Sequence, residues 1–101
     1  MAIAASVDIG TLISKSPEIR GGRPVIAGTG TMVRTVIGLH KEGASAEEIA
    51  QRKYLTLAQV HAALAYYYAN QQEIEADMAD YDAEYKQLEK EWRQTHSADN
   101  T

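Results

Sequence analysis

A mainly α-helical fold with a short N-terminal β element is predicted by three observations. All seven glycines and both prolines lie at or before Gly43, and the 58 residues after it contain neither. Gly and Pro are the strongest breakers of regular structure, so the front of the chain should be turn-rich and the rest helical. Two capping boxes, Ser45 to Glu48 and Thr56 to Gln59, mark two helix starts close together. From Val60 to Trp92, residues at steps of four and three form a heptad seam whose one polar member is Gln71.

The elements follow in order. Leu12–Ile13, Pro24–Ile26 and Thr31–Val33 are short β-prone pieces separated by turn material at Ser16-Pro17, Gly21-Gly22 and Gly28-Thr29-Gly30. Pro24 has no amide hydrogen, so it should open a strand or lie on an edge. Gly28 and Gly30 are expected in backbone conformations costly for other residues. Val33, Val36, Ile37 and Leu39 give the apolar side of a first helix, which Lys41-Glu42-Gly43 ends. A second helix follows Ser45 and carries Ile49 inward. A third opens at Thr56 with Leu57, Val60 and Leu64 on its inner side. Lys53-Tyr54-Leu55 between them is the short turn of a helix-turn-helix. His40 falls at a helix end and His61 on the outer face of the third helix. The expected division is a β element with a helix-turn-helix core over 1–70, then an acidic heptad helix over 71–101 that frays from Ser97 to Thr101.

At 101 residues the chain suits one small domain. With 45% hydrophobic and 24% charged residues, its composition is that of a globular protein rather than a disordered one. No apolar run approaches the roughly 20 residues of a membrane helix. Met1 to Val7 has neither the basic start nor the apolar stretch of a signal peptide. The absence of cysteine removes disulfides, thiol nucleophiles and thiolate metal sites, so the cytoplasm is the expected compartment. The net charge of -4 conceals an asymmetry. Residues 1–70 hold seven Lys/Arg against five Asp/Glu, and residues 71–101 hold three against nine. A mildly basic front and a strongly acidic tail suggest two tasks on one chain.

Catalytic chemistry finds little support. The three histidines lack metal-ligand spacing, the Gly-rich front lacks the Lys-Ser/Thr ending of a P-loop, and no serine has a partner base in sequence. The tail carboxylates Glu73, Glu75, Asp77, Asp80 and Asp82 read as a solvated helix face. The expected class is therefore non-enzymatic, with no cofactor and no metal. Two binding surfaces remain. Thr56, Gln59 and His61 near the start of the third helix could face DNA bases, with Arg52 and Lys53 beside them for phosphates. The same three helices could equally form a structural core that never meets DNA. Along the tail, Ile74, Met78, Tyr81, Tyr85, Leu88 and Trp92 are expected to be poorly covered in an isolated chain. A helix from Leu57 to Arg93 would project, whereas a bend near Asn70 would let it fold back. Its tyrosines suit an apolar groove on another protein better than a two-stranded coiled coil, which prefers Ile or Val with Leu.

The segment from Gly22 to Asn70 resembles the bacterial domain of unknown function 433 family. The matching residues are Gly22-Arg23-Pro24-Val25-Ile26-Ala27-Gly28-Thr29, then Gly43-Ala44-Ser45-Ala46-Glu47-Glu48-Ile49, Leu55-Thr56, and Ala63-Leu64-Ala65-Tyr66-Tyr67. One departure is Gly30, where the family pattern has Arg. The resemblance implies a homeodomain-like helix-turn-helix after a short β element. It also implies an antitoxin of a type II toxin–antitoxin pair, related to VapB-type antitoxins, with an adjacently encoded PIN-like ribonuclease as toxin. By position it adds Arg23, in the Gly-x-Pro turn, to the DNA-binding candidates. The expected function is then operator binding as a homodimer, since one such motif buries little DNA surface, with neutralisation of the toxin by the tail. The alternative is an interaction module that does not bind DNA.

Overall fold

The computed structural model describes residues 6–97. Most of Met1 to Val7, read above for a signal peptide, and the end expected to fray past Ser97 lie outside the described residues. Strand β1 (Ile13–Ser14) pairs antiparallel with β2 (Val25–Ile26), with Ile13 opposite Ile26 and Ser14 opposite Val25. Pro24 stands immediately before β2, where its missing amide costs no ladder bond, and its carbonyl accepts from Val33 N at 3.0 Å. The third β-prone piece makes only an isolated bridge, Val25 to Met32, because Val33 already begins a helix.

Helix α1 (Val33–Lys41) turns Val33, Val36 and Ile37 inward. It ends as its basic last turn and glycine predict. Gly43 adopts φ +98°, and the amides of Gly43 and Ala44 return to the carbonyls of His40 and Leu39. Helices α2 (Ala46–Lys53) and α3 (Leu57–Ala69) both start on complete capping boxes, Ser45 with Glu48 and Thr56 with Gln59. The turn between them begins one residue later than predicted, because α2 continues through Lys53. Tyr54 then takes a left-handed conformation at φ +57°, and the amide of Leu55 bonds Ala50 O at 2.9 Å. Leu57 is 45% exposed rather than inward-facing, since it lies at the first position of α3 beside the exposed capping turn.

The heptad seam does not run in one helix. Asn70 leaves helical geometry at φ −138°, ψ 47°, and its side-chain amide donates to Tyr66 O at 3.0 Å. Its own carbonyl accepts the amide of Ile74, so one residue closes α3 and opens α4 (Gln71–Ser97). The first turns of α4 fold back onto α1, while the remainder projects. The resulting extents are 74 × 29 × 23 Å, consistent with the roughly 40 Å expected of a 27-residue helix. The core is a single cluster of Ile26, Val33, Val36, Ile37, Ile49, Val60, Ala63, Tyr67 and Ile74, with Leu55 beside them. Burying each large aliphatic side chain contributes about 1.5–3 kcal/mol. No helix among the described residues is long and apolar enough to cross a membrane.

Candidate partner-binding and nucleic-acid surfaces

The acidic start of α4 is bound to the basic front, residue against residue. Asp77 is buried, and its Oδ1 accepts from Arg23 Nε at 2.7 Å and from Arg34 Nη1 at 2.8 Å. Glu73 accepts from Lys15 Nζ and, at 2.5 Å, from the Tyr66 hydroxyl. Glu75 accepts from Lys41 Nζ and from the Tyr67 hydroxyl, both at 2.5 Å. Glu84 lies 3.9 Å from Arg23 Nη2. These contacts set the local titration. Hydrogen bonds from Lys15 and Tyr66 hold Glu73 below the ordinary carboxylate value, and those from Lys41 and Tyr67 do the same for Glu75. Burial, reinforced by Glu73, pushes the Tyr66 hydroxyl up to about 12. The bond to Glu75 raises Lys41.

Asp77 is therefore not part of the solvated face that the sequence suggests, whereas Glu73 is half-buried and Glu75 stays exposed while each pairs with a cation of the front. Four of the front's seven cations, Lys15, Arg23, Arg34 and Lys41, are engaged by α4. The signal was present as the basic front and acidic tail, but no spacing rule says which charges meet. Arg23 consequently stands with Asp77 rather than with the helix-turn-helix candidates. Thr56 and Gln59 are locked to each other by the capping box, at 2.8 and 3.1 Å. Arg52 and His61 are exposed. Lys53 lies on the wall of a groove of about 450 Å³ between α1 and α4, with Arg34, Gly38, Met78, Tyr81 and Asp82. Neither Arg52 nor Lys53 forms an ion pair among the described residues. Sequence reading missed Tyr54, which is 95% exposed at the tip of this turn.

The six expected partner-binding residues divide. Ile74 is fully buried in the core, contrary to expectation, because the break at Asn70 brings its side of α4 against the rest of the cluster. Met78 is half-buried and packs on that cluster. Tyr81, Tyr85, Leu88 and Trp92 remain 47–65% exposed. They form one stripe along the projecting part of α4, on which Tyr81 and Tyr85 stack at 6.5 Å and Arg34 lies 4.5 Å over the Tyr81 ring.

The family model described as protein of unknown function (DUF433) matches residues 13–67. The chain belongs to the DUF433 family. The crystal structure of a DUF433 member protein from Anabaena variabilis is similar at 28% identity with a TM-score of 0.63, over 68% of this chain and 69% of that one. No curated protein matches. The DUF433 match takes in the strand pair and α1 to α3 up to Tyr67, so the projecting stripe lies beyond it.

Within the DUF433 segment, Val25 and Ile26 form the buried strand β2. Gly28 takes φ +75°, and the Thr29 hydroxyl closes the turn by donating to Ile26 O at 2.8 Å. Gly30, expected to be conformationally constrained, has no positive φ. Its carbonyl instead accepts from Arg20 Nη2 at 3.4 Å.

Proposed function

We propose that this DUF433 chain is the antitoxin of a type II toxin–antitoxin pair. In this reading α4 captures and neutralises an adjacently encoded PIN-like ribonuclease in the cytoplasm, and the chain has no catalytic chemistry of its own. The observation that carries it is the stripe of Tyr81, Tyr85, Leu88 and Trp92, held away from the core on a projecting acidic helix. Large aromatic side chains supply much of the energy at protein interfaces, and an acidic helix suits a groove built to hold RNA. Co-expression with the neighbouring reading frame tests the reading. The wild-type chain should restore growth, and Tyr85→Ala with Trp92→Ala should abolish the rescue, each substitution weakening the complex by about 2 kcal/mol or more. Rescue by the double variant would remove α4 as the neutralising element.

Operator binding by a homodimer belongs to the same proposal and draws on the exposed Arg52, Tyr54 and His61 and on Lys53. A second reading, an interaction module that never touches DNA, is favoured by the four front cations engaged by α4. Affinity for DNA rests largely on Lys and Arg at phosphates. A gel shift with the chain's own upstream region at low salt separates the two. A shift lost in Arg52→Ala with Lys53→Ala supports operator binding, and no shift from folded protein supports the second reading.

A further inference from the structure

The stripe on α4 is bordered by carboxylates on both sides. With Tyr85 and Trp92 at heptad position a and Tyr81 and Leu88 at d, position e holds Asp82 and Glu89, and position g holds Glu84 and Glu91. The basic residues of this stretch, Lys86, Lys90 and Arg93, fall at b and f on the far side of the helix. Glu89 is joined to Arg93 at 2.5 Å and Glu91 accepts from Gln87 at 3.0 Å, both exposed i, i+4 contacts of small energy. Glu84 has Arg23 at 3.9 Å.

Flanking charges decide which helix can lie against such a stripe. Two copies aligned in parallel would set Glu84 against the other copy's Glu89. Aligned antiparallel, Asp82 would face Glu89 and Glu84 would face Glu91. Both orientations oppose acid to acid, and charges at e and g are what select partners and orientation in paired helices. From this we infer that the occupant of the stripe is not a second copy of α4 but a different protein, whose groove has an apolar floor and Lys or Arg along both rims. The inference rests on reading α4 as the partner-binding element, and it specifies the chemistry of what α4 binds.

The chain carries its own reporter, because Trp92 lies in the stripe and is the one tryptophan present. The full-length variant Asp82→Lys, Glu84→Lys, Glu89→Lys and Glu91→Lys keeps the apolar stripe and gives it basic rims, so it imitates the proposed partner. Wild type alone and variant alone should show solvent-exposed Trp92 emission at every concentration. An equimolar mixture at low salt should shift the emission to the blue, and about 1 M salt should reverse the shift, since the Debye length there is about 3 Å. A concentration-dependent blue shift in wild type alone, or no shift on mixing, overturns the inference. Circular dichroism checks that the variant is helical. If it is not, the four acids replaced by Gln give a second test, because removing the repulsion should make that variant self-associate with a blue shift of Trp92. Failure to do so likewise overturns the inference. Successful mixing without growth rescue would refute the ribonuclease assignment and leave the surface chemistry standing.

Discussion

At Asp77 two guanidiniums converge on one buried carboxylate oxygen, and its Oδ2 has no hydrogen-bond partner among the described residues. Arg34 is itself only 12% exposed, so removing the carboxylate strands a cation that cannot readily reach water. Breaking such a pair costs far more than an exposed ion pair is worth. Asp77→Ala should therefore destabilise the chain by about 3 kcal/mol. Asp80→Ala, on an exposed face of the same helix, should change stability by less than about 0.5 kcal/mol. Urea denaturation of both variants checks the contrast, and equal effects would mean that the Asp77 cluster contributes little.

Two of the carboxylates through which α4 meets the front, Glu73 and Glu75, titrate below their ordinary value. As pH falls, unfolded chains bind protons at Glu73 and Glu75 before folded ones do. Their contribution is therefore complete above about pH 5 and is lost as pH falls through the lowered folded values. On the alkaline side the raised Lys41 and Tyr66 contribute fully below about pH 10, and that contribution disappears as pH climbs toward the folded values. Thermal unfolding midpoints should drop between pH 6 and pH 3.5, and Glu73→Gln with Glu75→Gln should flatten that drop. A variant with an unchanged pH profile would show that these carboxylates do not carry the acid sensitivity.

In the whole molecule, the two ends of one helix stand differently toward the core. The residues near Ile74 complete a core and bind the front's cations, while the stripe from Tyr81 to Trp92 holds no core position. Replacing Leu88 and Trp92 together by Ala should leave the urea midpoint nearly unchanged, within about 0.5 kcal/mol. Ile74→Ala should cost about 2–5 kcal/mol. A large loss from the distal pair would mean that the projecting segment supports the fold. The same division shows that a truncation after Asn70 would remove Ile74 and the Asp77 cluster along with the stripe. Point substitutions in the full chain are thus the cleaner probe of binding.

Local rules were enough to read most of the elements from the sequence. Both capping boxes, the end of α1 before Gly43, the start of β2 just after Pro24 and the helical period after Thr56 depend on contacts a few residues apart. Such contacts are written in spacing. The exposed stripe was legible as well, since apolar periodicity specifies a face whether or not anything covers it. The sequence could not say where along that face cover stops. A heptad step is the same on both sides of Asn70, and only the packing of α4 after the break placed Ile74 inside and Tyr85 outside. The pairing of Asp77 with Arg23 and Arg34, 54 and 43 residues away, was likewise decided by tertiary structure. Unlike charges attract without regard to sequence, and which of them come within reach is set by how the helices pack.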